Sequence, residues 1–137
     1  MASQSLLALD VGERRIGVAI ADSSIRIAVA YDTIAVDGTE VAQVRELLSQ
    51  ESIDVLVVGY PRNQSGESTK QTAYVEGFVE KLGQLDVSIV YQDESLTSVK
   101  AEEILKQRKQ PYEKGEIDAL AASLILQDYL ELTYGRL

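Results

Sequence analysis

The 137-residue chain contains no cysteine and no histidine. Without thiols there can be no disulfide framework, no thiolate nucleophile and no cysteine-ligated zinc. Without imidazole there can be no Ser-His-Asp triad, no imidazole base and no imidazole metal ligand. Any catalysis must run on carboxylates, hydroxyls, Lys, Arg and bound ions. No stretch approaches ~18 uninterrupted apolar residues, so no transmembrane span and no membrane partner is expected. The opening residues MASQS lack the basic region and apolar run of a secretory signal. Together with the absence of cysteine, this fits a reducing, cytoplasmic setting. Positive charge is scarce too: 13 Lys and Arg against 22 Asp and Glu leave a net charge of −9. The molecule as a whole therefore repels nucleic acid and anionic membranes. A polyanionic substrate would need local basic patches and divalent cations to draw it in.

What is present is an ordinary globular composition, 45% apolar and 26% charged, of a length that fits one domain over residues 1–137. Residues 6–10 and 15–21 are apolar runs joined by a tight turn, so they must be antiparallel neighbours. Residues 27–36 continue the meander. Asp37 as cap with Glu40 three residues on offers a capping box for a helix to about Gln50. Residues 53–59 form a β-branched fourth strand. Ser68 with Gln71 offers a second capping box, opening a helix with Tyr74, Val75, Phe78, Val79 and Leu82 on its apolar face. Residues 87–92 are the fifth strand. Thr97 or Ser98 caps a third helix to about Gln107, and after a loop that ends at Gly115 a last helix runs from Glu116 to about Thr133. The order βββαβαβαα predicts an α/β fold: a mixed five-stranded sheet, an antiparallel meander of three strands plus two parallel strands, with helices on both faces. No internal repeat, linker or low-complexity tract interrupts it.

In open α/β sheets ligands collect beyond the C-terminal ends of parallel strands. Asp10 closes the first strand and Glu94 lies just past the fifth. Asp118 falls in the first turn expected for the last helix. Strand alternation puts Asp10 on the face of Ala8, opposite Leu7 and Leu9. Ala121 and Ala122 leave the flank of Asp118 uncrowded. Three acids at one rim repel one another unless a counter-ion sits among them. Oxygen-only ligands select Mg²⁺ or Mn²⁺, and a pair of such ions about 4 Å apart serves phosphodiester hydrolysis. Each acid also has a plain structural explanation. Asp10 could open an Asx-turn before Gly12, Asp118 could complement a helix dipole, Glu94 could be solvated, and Thr97 could be a helix cap rather than a substrate ligand.

Four blocks occur in order: residues 7–22 (LALDVGERRIGVAIAD), 58–63 (VGYPRN) with Gly66, 93–98 (DESLTS) with Ala101 and Glu102, and 114–122 (KGEIDALAA) with Ile125 and Leu126. Over roughly residues 5 to 132 the chain resembles the YqgF family, the Holliday-junction-resolvase-like proteins also described as pre-16S ribosomal RNA nucleases. The resemblance implies a ribonuclease H-like fold and an acidic site of Asp10, Glu94 and Asp118, the three acids already singled out. One departure stands out: Ser95 occupies the position where the family block usually carries Arg, which removes a rigid fork for phosphate or carboxylate.

The expected activity is that of a metal-dependent nuclease on structured RNA, the 5′ end of pre-16S ribosomal RNA, with Mg²⁺ or Mn²⁺ held by the three acids. Arg14, Arg15, Arg62, Asn63, Thr97, Arg108, Lys109 and Lys114 are the expected substrate contacts. Tyr112, among the last of these, could stack on a base. The basic cluster could equally be a solvated helix end. Three alternatives stay open: resolution of branched DNA, which requires a two-fold dimer where the RNA reading needs only a monomer or weak homodimer; a non-catalytic nucleic-acid-binding module; and an ATP-binding domain of the actin type, which would need a second domain.

Overall fold

The computed structural model describes residues 3–61, 69–94, 97–108 and 110–135, without the side chains of residues 97 and 98. Among these residues the chain order is β1 (Ser5–Val11), β2 (Arg15–Asp22), β3 (Val29–Ala35), α1 (Glu40–Gln50), β4 (Val55–Tyr60), α2 (Lys70–Leu82), β5 (Ser88–Asp93), α3 (Thr97–Gln107) and α4 (Lys114–Tyr134). The strands form one sheet in the order β3-β2-β1-β4-β5. β1 pairs antiparallel with β2 and parallel with β4, and β4 pairs parallel with β5. The expected mixed sheet is what forms.

β1 sits at the centre because both of its faces are apolar: Leu6, Leu7, Ala8 and Leu9 are all fully buried. Burying a leucine completely contributes about 1.5–3 kcal/mol relative to leaving it exposed, so the central position is the favourable one for this segment. Leu7 and Leu9 join Val44 and Leu48 of α1 and Val75, Phe78 and Leu82 of α2 in one core. Leu6 and Ala8 face the other way, onto Ala122, Ile125, Leu126 and Leu130 of α4. Helices therefore cover both faces. α3 packs on α4 and buries Ala101 and Leu105. None of these helices is long and apolar enough to cross a membrane.

Element ends differ from the sequence reading where a hydrogen bond outcompetes the pattern. β3 starts at Val29 because the Ala28 N–H donates to the Gln127 side chain at 2.9 Å instead of joining the ladder. β4 starts at Val55 because the Ile53 N–H closes the end of α1 on Leu48 O at 3.0 Å. The N-cap of α1 is Thr39, not Asp37. The Asp37 carboxylate instead accepts from the Thr39 N–H at 3.0 Å, and Glu40 accepts from the Asp37 and Gly38 N–H groups at 3.1 and 2.7 Å. α2 is capped by Thr69 with Thr72, a reciprocal pair at 3.0 and 3.3 Å. The cap expected at Ser68 lies outside the described residues, and Gln71 spends its amide on Val11 O at 3.1 Å. Thr97 is the first residue of α3. α4 begins at Lys114, so Gly115 does not break it. That glycine lies inside the first turn, where its carbonyl accepts from Thr33 Oγ1 at 2.6 Å. Asp118 is consequently in the second turn, beyond the first-turn position expected for a dipole partner.

Candidate active site

Asp10 stands near the C-terminal end of β1, on the α4 face of the sheet, directly in register with Gly17 of β2. Glu94 follows immediately after β5, whose last residue Asp93 pairs with Tyr60. Two glycines create the space between these strands and α4. A Cβ on Gly17 would lie 1.9 Å from the carbonyl oxygen of Asp118, so α4 rests on bare strand backbone there. A Cβ on Gly59 would lie 2.6 Å from Glu94 Oε2 and 2.8 Å from Ile125 Cδ1. Glycine within a strand often marks such a close approach. The packing of α4 delivers Asp118 to the rim that β1 and β5 supply.

Asp10 and Glu94 are hydrogen-bonded to each other. Burial pushes the Glu94 carboxyl up to about 9, helped by the negative charge of Asp10, by the shared hydrogen bond and by Asp93. Asp10 is also raised, by burial and by the charge of Asp118, against the opposing effect of the Glu94 hydrogen bond. The physical picture is a carboxylic acid on Glu94 donating its proton to an Asp10 carboxylate. Two like groups kept this close in a partly buried site carry a standing cost that a bound cation would remove.

Asp118 does not close the set. Its Oδ2 accepts from Arg15 Nε at 2.6 Å, with the Arg15 and Asp118 side chains 35% and 23% exposed. Among the described residues no group of three or more His, Cys, Asp or Glu side chains is gathered so that it could hold one metal ion. Asp10 and Glu94 lie against each other, while Asp118 faces Arg15.

Of the expected substrate contacts, Arg14 is exposed in the β1–β2 turn and Lys114 is exposed at the start of α4. Arg108 is paired with Glu116 at 3.0 Å on the surface. Arg62, Asn63 and Lys109 lie outside the described residues, as do Ser95 and the Thr97 side chain. The sequence reading did not single out Gly17 or Gly59, nor the Arg15–Asp118 contact across 103 positions. A glycine in the middle of an apolar strand was the available signal for the first two. A cavity of about 400 Å³ lined by Leu6, Ile20, Ile25, Ile27, Val29 and Ile53 opens near the start of β1, at the opposite end of the sheet from Asp10. Its apolar walls have no part in the acidic chemistry.

The donor set left at the rim consists of hard carboxylate oxygens, the ligand type of Mg²⁺ and Mn²⁺. The missing Cβ of Gly59 is what lets the Glu94 carboxyl sit against the strand backbone in that donor set.

The family model described as "RuvX: Holliday junction resolvase" matches residues 4–132. A protein of Chloroflexus aggregans named "Putative pre-16S rRNA nuclease" is 43% identical over 136 residues, covering 96% of each chain. One of the same name from Synechocystis sp. is 41% identical over 131 residues, covering 92% of this chain and 86% of its own. Among solved structures, Thermus thermophilus RuvC in complex with Holliday junction substrate superposes with a TM-score of 0.57 at 17% identity over 96% of both chains. Fowlpox virus resolvase in complex with Holliday junction DNA gives 0.58 at 13% identity, over 93% of this chain and 97% of its own. At such identities the structures speak for a common ribonuclease H-like fold and not for a shared substrate. With the family model spanning nearly its whole length, and relatives above 40% identity over as much, the chain belongs to the RuvX family.

Proposed function

We propose that this chain is a divalent-metal-dependent nuclease that hydrolyses phosphodiester bonds in structured nucleic acid, with the 5′ end of the pre-16S ribosomal RNA as substrate. The observation that carries the reading is the hydrogen-bonded Asp10–Glu94 pair at the C-terminal rim of the parallel strands. The names of the relatives above 40% identity support the choice of RNA. In this reading Asp10, Glu94 and Asp118 hold Mg²⁺ or Mn²⁺. A divalent cation bound there supplies charge neutralisation at the phosphodiester and activates water for attack.

The chain's own groups do the rest. Glu94 would release to solvent the proton it shares with Asp10 on binding a cation, leaving both side chains as carboxylate donors. Gly17 and Gly59 let α4 and the Glu94 side chain seat directly on the strand backbone, which brings the three acids to one rim. Arg14 and Arg15, beside the turn that follows Asp10, meet the substrate's phosphates, and Lys114 extends the basic edge at the start of α4. We take the chain to act as one domain in the cytoplasm, as a monomer or weak homodimer.

The test is cleavage, in Mg²⁺ and in Mn²⁺, of a 16S precursor fragment carrying its 5′ extension, with a four-way DNA junction run in parallel. The RNA is expected to be cut, and Asp10→Asn is expected to lower the rate by about 10²–10³-fold with the fold intact. Preferential cutting of the junction would replace the substrate but keep the site. Metal-dependent activity that survives Asp10→Asn would refute the site.

A further inference from the structure

We propose that Arg15 is a positioning residue that withholds Asp118 from the metal site until a substrate phosphate takes the guanidinium away. The inference rests on the metal-site reading above and deepens it.

Asp118 occupies an unusual position for a ligand in waiting. Its backbone is fixed beside Asp10, because its carbonyl lies against the bare Cα of Gly17 and Gly17 is in register with Asp10. Its charge is felt at Asp10. Only its side chain is directed elsewhere, onto Arg15 Nε at 2.6 Å. Arg15 precedes Gly17 by two residues on the same strand, so it projects from the same face of the sheet. The contact is therefore built in by the pleat of β2 and the seat of α4, rather than being a chance surface pairing. It is partly buried at both ends, and charge-assisted contacts of this length are among the stronger hydrogen bonds.

The same guanidinium suits a phosphate. Nε is committed to Asp118, so a phosphate read by the edge of the guanidinium that includes Nε must take the place of that carboxylate. A phosphodiester offers two oxygens in the geometry that a guanidinium fork reads. When the fork turns to the phosphate, Asp118 loses its partner and is left as an unpaired carboxylate beside Asp10 and Glu94, which a dication would attract. Cation binding and substrate binding then favour each other by the same factor, as linkage requires. This accounts for the lack of a gathered group of three acids among the described residues. The consequence is an enzyme whose third ligand is available only when substrate is in place.

The experiment measures Mn²⁺ affinity of the full chain without RNA, by the electron paramagnetic resonance signal of free Mn²⁺. Arg15→Gln is expected to tighten Mn²⁺ binding about fivefold, the size of one partly exposed ion pair. Loss of structure would weaken binding, so the direction separates the proposal from simple damage. Arg14→Gln removes the same charge one residue away and is expected to change affinity less than about twofold, since an exposed charge is screened. Adding Asp118→Asn to Arg15→Gln is expected to abolish the gain. Unchanged or weaker binding in Arg15→Gln overturns the proposal, as does a gain that persists in the double variant. If Asp10→Asn and Glu94→Gln also leave Mn²⁺ affinity untouched, the metal-site reading itself falls, and not only the role of Arg15.

Discussion

Replacing Glu94 by Gln is expected to stabilise the metal-free protein while abolishing its chemistry. Glutamine keeps the shape of the protonated side chain and can still donate to Asp10, but it never has to ionise. The folded-state value of Glu94, about 9, lies above its ordinary 4.5. The folded protein therefore holds a proton that the unfolded chain releases, and stability falls as pH rises between those two values. The cost is absent below about pH 4.5 and grows by about 1.4 kcal/mol per unit. At pH 7 the interval is 7 − 4.5 = 2.5 units, or about 3 kcal/mol. This is an upper bound, because water entry and side-chain relaxation around an ionised pair reduce it. With a urea m-value of about 1.5 kcal/mol/M, the midpoint of Glu94→Gln should exceed wild type by up to about 2 M at pH 7 in EDTA. The gap should shrink toward about pH 5 and widen toward about pH 8.5. Mn²⁺ should narrow it by stabilising only the wild type. Parallel loss of stability with pH in both proteins, or a Gln variant that is weaker at every pH, would show that the pair is not held against its ionisation.

Three further outcomes follow from named contacts. Gly17→Ala places a Cβ 1.9 Å from the Asp118 carbonyl oxygen; displacing α4 to make room should cost at least about 1–3 kcal/mol in urea titrations and weaken Mn²⁺ binding as well. Thr69→Ala removes the reciprocal cap with Thr72 and should cost about 1 kcal/mol in the same titrations with no effect on Mn²⁺ affinity. RNA affinity should fall steeply with salt despite the net charge of −9. Arg14→Gln combined with Arg15→Gln should flatten the plot of log K against log salt by about 1.5, as read by fluorescence anisotropy.

The parts of the architecture that were legible in the sequence are those written in short-range pattern. The unbroken apolar run around Leu7 and Leu9 reads as a buried strand, and the helical spacing of Val75, Phe78 and Leu82 in α2 reads as one buried face. Caps were harder, because Ser, Thr and Asp compete for the same N–H groups. Asp37 had the right neighbours for a cap, yet its carboxylate bonds the Thr39 N–H and hydroxyl and Thr39 takes the cap position. The start of the last helix is not legible from Gly115, because that glycine lies inside the first turn of α4, where its carbonyl accepts from Thr33 Oγ1.

The candidate site divides along the same line. Asp10 and Glu94 could be placed from strand ends alone, since one lies a residue before the end of β1 and the other directly follows β5. Asp118 could be placed at the rim but not aimed, because its aim depends on a residue 103 positions away. No periodicity connects Arg15 to Asp118; what connects them is the missing Cβ of Gly17, which lets one helix settle onto one strand. The rule of alternation puts Arg15 on the same face as Gly17, and Gly17 is where α4 touches down. A reading that asked what each strand glycine lets in would have brought Asp118 down onto β2 near Arg15. The acid trio inferred from topology would then have looked, from the start, like two acids and a third under restraint.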